Sequence, residues 1–140
     1  MYFDSHAHLD YEDIKGADFE ETVKAIEGSD VDYVMDIGVD LATSQRAAEN
    51  AAKYPWCYAA IGYHPHEANE MGDVELEMIR ALAKKPKVMA IGEIGLDFHY
   101  EYSPKDIQRD VFRRQIDLAN QLKMPIVIHS READQEVMDI

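Results

Sequence analysis

Five apolar, β-branched or aromatic runs recur along the chain at intervals of about thirty residues, the size of one βαβ unit. They read YFDSH, VDYVMDIGV, WCYAAIGYH, KVMAIGEIG and MPIVIHS. Helical patterns fill the gaps. In ADFEETVKAIEGS, Phe19, Val23 and Ile26 fall on one face and Gly28 suits the C-terminal cap. DLATSQRAAENAAKY is alanine-rich and ends before Pro55. DVELEMIRALAKK carries Leu76, Ile79, Leu82 and Ala83 at helical spacing, with basic residues in its last turn. SPKDIQRDVFRRQIDLANQLK predicts Ser103 as N-cap and Pro104 at the first helical position. Ile107, Val111, Leu118 and Leu122 then line one face, and a last helix begins at READQEVMDI.

Strands alternating with helices imply an α/β fold with a parallel sheet and right-handed crossovers. Two architectures compete, an open doubly wound sheet and a TIM-type (β/α)8 barrel. An open sheet usually has a glycine-rich turn after its first strand; here that turn is HAHLD, with no glycine. Polar groups instead recur at the C-terminal ends of several strands, where barrel enzymes carry their chemistry. The expectation is one domain over residues 1–140, built as the first five βα units of a barrel.

Composition narrows the function classes. A chain of 140 residues with 46% hydrophobic content has enough apolar material for a core. No stretch approaches the roughly 20 apolar residues of a membrane helix, and the N-terminus has no signal-peptide pattern. Cys57 is the only cysteine, which fits a reducing, cytoplasmic compartment. The net charge of −14 leaves no basic stripe for tracking phosphates. A nucleic-acid substrate would therefore need bound cations to supply positive charge locally.

The octet FDSHAHLD raises that possibility at once. On a strand, Asp4, His6, His8 and Asp10 share one face, which makes a poor core and a good start on a metal site. An exposed edge strand that happens to hold two histidines is the plainer explanation. Three further strand ends carry comparable signals: His64 and His66 in GYHPH, Glu93 and Asp97 in GEIGLD, His129 and Arg131 in IHSR. Glu93 follows the apolar VMAIG, so its carboxylate needs a cation or hydrogen-bond donors, a structural salt bridge being the rival explanation. His129 after PIVI reads equally as a hydrogen-bonded core histidine. Arg131 suits a helix cap or a phosphate. His66 and His99 read as solvated loop residues. In a closing barrel all four strand ends face one mouth, about 5 Å apart between neighbours.

DSHAHLD, GYHPHEA, GEIGLDF and PIVIHSREA, in that order and spacing, resemble four motifs of the TatD-type metal-dependent deoxyribonucleases of the amidohydrolase superfamily. The resemblance runs over essentially the whole chain. It implies a (β/α)8 barrel with one or two divalent metal ions at its mouth, Zn, Mg or Mn, and phosphodiester hydrolysis on DNA, often exonucleolytic. It implies His6 and His8 as ligands of the first metal, Glu93 as a bridging ligand and His129 as a ligand of the second. It also implies His64 and Arg131 near the substrate phosphate, with His64 as hydrogen-bond donor or proton donor. Phe98 and His99 stand where an aromatic pair is expected after Asp97. The family barrel has eight strands and roughly 250 residues. A sixth-strand histidine and an eighth-strand aspartate thus lie outside these 140 residues.

Two other readings stay open. The same ligand pattern serves hydrolysis of a small amide, lactone or ester, with His64 and Arg131 as the discriminating pair. Alternatively the chain is catalytically inactive and acts as an association module, pairing its open sheet edge with another copy or a complementing fragment.

Overall fold

A computed structural model describes residues 1–9 and 18–140 of the chain. Strands β1 (Phe3–Ala7), β2 (Tyr33–Ile37), β3 (Cys57–Ile61), β4 (Val88–Asp97) and β5 (Ile126–Arg131) form one sheet. Every pairing is parallel and the spatial order is β1-β2-β3-β4-β5. Helices α1 (Phe19–Glu27), α2 (Leu41–Lys53), α3 (Asp73–Leu82) and α4 (Lys105–Leu122) connect the strands, and α5 (Asp134–Asp139) follows β5. A doubly wound sheet reverses its strand order at a switch point. Here spatial order equals chain order throughout, as in a barrel wall. The five strands form a curled half-barrel, and the alternation legible in the sequence is the alternation observed.

Side-chain alternation divides the apolar residues between two faces. Cys57, Ala59 and Ile61 of β3 join the main core with Ala47 and Ala51 of α2, Ile79 of α3 and Phe112 of α4. The alternate residue Ala60 clusters instead with Ile37 and Ala90, and Met35 and Val127 pack against them. This smaller cluster is the inner layer of the half-barrel. His129 lies two residues beyond Val127 and so points from the same inner face.

Two glutamines on the core face of α4 fasten the strand ends that lead to the mouth. The fully buried Gln115 accepts from the Tyr63 amide (2.7 Å) and donates to the Tyr63 carbonyl (3.0 Å). Gln108, also fully buried, accepts from the Asp97 amide (2.9 Å) and donates to the carbonyls of Asp97 (3.0 Å) and Ser103 (2.8 Å). Each side chain thus meets backbone groups that the parallel ladder leaves unpaired. Beside them, Gly95 has φ +150°, and a Cβ there would lie 1.9 Å from the His129 carbonyl oxygen. Only glycine permits this approach of β4 to β5.

Two local expectations change. The α4 N-cap is Pro104, not Ser103. Ser103 is buried, and its hydroxyl donates to the His66 carbonyl and accepts from the Asn69 amide, both at 3.0 Å. Those backbone groups belong to a 3-10 helix, Pro65–Glu70, absent from the sequence reading. Burial decides the matter, because leaving them unsatisfied costs more than leaving an exposed helix start uncapped. Replacing Gln115 with Ala strands both Tyr63 backbone groups in the core. Urea unfolding should register a loss of about 2–4 kcal/mol; a loss below about 1 kcal/mol would mean that the clamp is not structural.

Candidate metal centre

Glu93 lies in the middle of β4, buried, at the C-terminal mouth of the half-barrel. Its amide donates to the Gly38 carbonyl just beyond β2 (3.1 Å), which ties the backbone across the mouth. Its Oε2 lies 3.4 Å from His6 Nε2 and 3.5 Å from His8 Nε2. Its Oε1 lies 3.2 Å from His129 Nδ1. His64 Nε2 lies 3.1 Å from the same His129 nitrogen. Residues from β1, the end of β3, β4 and β5 thus meet around one carboxylate. Among the described residues, two groups have donor atoms close enough together to hold a metal ion, His6 with His8 and Glu93, and His64 with Glu93 and His129.

The surrounding hydrogen bonds decide which ring nitrogens are free. His8 Nδ1 lies 2.8 Å from the Ile37 carbonyl, which can only accept, so Nδ1 carries the proton and Nε2 presents a lone pair to Glu93. His129 Nε2 lies 2.9 Å from Asp97 Oδ2 and donates to it. His129 Nδ1 then presents a lone pair to Glu93 as well. His64 is the reverse case. Its Nδ1 accepts from the His66 amide (3.0 Å), so in the neutral ring the proton sits on Nε2. His64 therefore presents a donor, whereas His8 and His129 present lone pairs to Glu93, with His6 Nε2 beside the same carboxylate.

Lone pairs face one another on both sides of Glu93, an arrangement that needs a proton or a metal cation between them. Without a metal, these imidazoles hold a proton more tightly than a free imidazole does. The hydrogen bond to Glu93 is the largest cause raising the pKa of His8 and of His129, against the opposing effect of burial. Burial works to raise the Glu93 carboxyl, but the hydrogen bonds of His129 and then His8 outweigh it and hold it below the usual range. Burial, then the His129 charge, lowers His64 to about 3, so it is neutral near pH 7. Three imidazoles and one carboxylate, two of the imidazoles oriented by acceptors on their far nitrogens, fit a divalent cation.

Two of these neighbours were not expected from sequence. His66, read as a solvated loop residue, instead lies in the 3-10 helix with Nε2 2.9 Å from Asp97 Oδ2. The bond was hidden because its partner is 31 residues away. Asp97 was noticed at a strand end but given no role. It is fully buried, its Oδ2 shared by His66 and His129, its Oδ1 accepting the His99 (3.1 Å) and Tyr100 (2.7 Å) amides. Burial opposes its charge, but the Tyr100 amide and then the two imidazoles hold it down to about 2. His99 is exposed and pairs with Glu132 (2.8 Å). Arg131 ends β5 at the same mouth, with its guanidinium 4.8 Å above the Tyr100 ring. Asp10 lies outside the described residues. A cleft of about 250 Å³ opens here, lined by His8, Val39, His64, His66, Glu67 and Glu93.

A sequential parallel half-barrel with imidazoles and carboxylates gathered at its C-terminal mouth defines a class, the barrel proteins built like metal-dependent hydrolases. Within it, the chain belongs to the TatD related DNase family, whose model matches residues 3–140. An uncharacterized metal-dependent hydrolase of Bacillus subtilis, YabD, is 44% identical over 140 residues, which is 100% of this chain and 54% of the relative. A 3'-5' ssDNA/RNA exonuclease TatD of Cronobacter turicensis is 37% identical over 116 residues, 83% of this chain and 44% of the relative. The crystal structure of YJJV, a TatD homolog from Escherichia coli, superposes with a TM-score of 0.86 at 28% identity, covering 97% of this chain and 53% of that one. The chain spans about half the length of the curated relatives that it matches. Among the described residues no helix is long and apolar enough to cross a membrane.

The proton assignments are directly measurable. Long-range ¹⁵N–¹H NMR of the metal-free protein, above the pH at which His8 and His129 lose their extra proton, should show His8 as the Nδ1–H tautomer. His64 and His129 should appear as Nε2–H. A His64 ring protonated on Nδ1 would remove the distinction between donor and ligand.

Proposed function

We propose that this chain carries the metal centre of a divalent-metal-dependent phosphodiesterase acting on single-stranded nucleic acid. The observation that carries the reading is Glu93, whose two carboxylate oxygens each face imidazole nitrogens with inward lone pairs. His6 and His8 would hold one cation together with Glu93, and His129 would hold a second with the same carboxylate. Bound there, the cations supply a Lewis acid for the phosphate and an activated water near neutral pH.

The chain's own residues do the rest. His64 is neutral near pH 7, and its Nε2–H would donate a hydrogen bond to a phosphoryl oxygen held at the mouth. Asp97 keeps His129 in the tautomer that ligates. Arg131 brings a guanidinium to the same mouth, where the net charge of −14 otherwise disfavours a polyanion. The cation-binding site therefore also brings the substrate in. A named relative acts on single-stranded DNA and RNA, and we assign this chain the same substrate class, DNA included. A donor such as His64 beside the cations favours a phosphate over an amide. Imidazoles favour zinc, whereas a phosphate ligand favours magnesium or manganese; the metal dependence of activity decides between them.

The outer strands support one further proposal, self-association. β1 and β5 lie at the two sides of the sheet, with Phe3 50% and Ile128 46% exposed. Unpaired parallel edges with apolar side chains recruit other strands. The 140-residue chain by itself should sediment above its monomer mass of 16.0 kDa; a sharp monomer would refute this.

With a single-stranded oligonucleotide and added divalent metal, a full-length protein that includes these residues should release nucleotides, and a chelator should stop it. Glu93→Ala should reduce kcat by about a thousandfold or more, the scale expected when one ligand positions both cations. Exposed His99→Ala should change it less than threefold. Equal losses in the two variants would refute the bridging role.

A further inference from the structure

The cleft beside His64 and Glu93, at about 250 Å³, has room for a phosphate group. It falls below the roughly 300–1,000 Å³ that encloses a drug-sized ligand. Whatever is esterified to that phosphate must lie outside, and the surface just outside is aromatic. Tyr100 and Tyr102, in the loop between β4 and α4, are parallel to within 5°, with ring centroids 5.6 Å apart. Tyr102 is 67% exposed and Tyr100 39% exposed. His66 connects this pair to the cleft, with its ring 4.3 Å from that of His64 and 5.0 Å from that of Tyr102.

Core packing does not account for two such exposed rings, yet their backbone is firmly held. The Tyr100 amide donates to Asp97 and the Tyr102 carbonyl accepts from Asn69 (3.3 Å). The Arg131 guanidinium covers one Tyr100 face. Parallel, preorganised aromatic rings with a guanidinium alongside, one side chain away from a phosphate donor, have the chemistry of a base-stacking surface. We propose that Tyr100 and Tyr102 form a nucleobase platform in which Tyr100, held between Arg131 and Tyr102, backs the more exposed Tyr102, and the outer face of Tyr102 stacks the base attached to the phosphate held at His64 and Glu93. This inference rests on the phosphodiesterase reading and adds the recognition of an unpaired base. A base held in a duplex has no free face for these rings, so single strands are preferred. Stacking needs no base edge, so every base is accepted.

The test measures binding and cleavage of dodecathymidylate by a full-length protein that includes these residues, loaded with magnesium. Beside it runs the same oligomer with abasic residues in the two positions at its 3′ end. Wild-type protein should bind the abasic oligomer about tenfold more weakly than the normal one. Tyr102→Ala should weaken binding of the normal oligomer by a similar factor and leave the abasic one unchanged. Tyr102→Phe should restore the wild-type value, since the ring rather than the hydroxyl does the stacking. Wild-type protein that cuts both oligomers and binds them equally overturns the platform alone, with no variant needed. Equal weakening of both oligomers by Tyr102→Ala also overturns it. Protein that neither binds nor cuts any phosphodiester refutes the underlying phosphodiesterase reading, and the platform falls with it.

Discussion

A carboxylate taken out of water has to be met by positive charge or by donors, and the mouth of this half-barrel is organised around that requirement at Glu93. An isolated buried anion is so costly that it would neutralise by taking up a proton. Glu93 instead stays charged among His6, His8, His64 and His129, which come from three other strands or strand ends. No two neighbouring strands suffice. The sheet must curl and keep sequential order for β1 and β5 both to reach the same β4 side chain. The geometry of the sheet and the electrostatics of the site are one constraint seen from two sides.

Holding the imidazoles in the right orientation is a separate task, assigned to groups behind them. The Ile37 carbonyl orients His8, the His66 amide orients His64, and Asp97 orients His129. Asp97 is in turn fixed through its own backbone by Gln108 of α4, while Gln115 of the same helix holds the residue before His64. One helix thereby sets the position of two strand ends. A ring nitrogen displaced by even an ångström loses its ligand geometry, so polar groups in the core of α4 contribute to chemistry taking place beyond the sheet.

The acidic surface fits this arrangement. A chain of net charge −14 repels polyanions at long range, and at 0.15 M salt that repulsion fades over about 8 Å. Under the proposed reading, attraction of a polyanion would have to be local, supplied by the proposed cations, by Arg131 and by contacts that do not depend on charge. An aromatic platform beside the cleft is of the last kind, because stacking is indifferent to the net charge of the protein around it.

The sequence by itself determined the strand and helix alternation, the parallel sheet and the strand ends that carry polar groups. Each is a local signal: period-two and period-3.6 patterning, breaker residues, and histidines and acids next to apolar runs. It likewise pointed to His6, His8, His64, His66, Glu93, Asp97, His129 and Arg131 as strand-end groups, since a parallel fold puts successive strand ends side by side, and the family resemblance singled out six of them. Only the tertiary structure decided what each histidine ring meets. His66 looked like a loop residue because its partner Asp97 is 31 positions distant, and Ser103 looked like a helix cap because nothing local reveals a buried 3-10 turn beside it. Gln108 and Gln115, one heptad apart on an otherwise apolar face, gave no sign of clamping β3 and β4. Whether a ring nitrogen carries a proton or a lone pair depends on a partner folded against it from far along the chain, and patterning encodes faces, not partners.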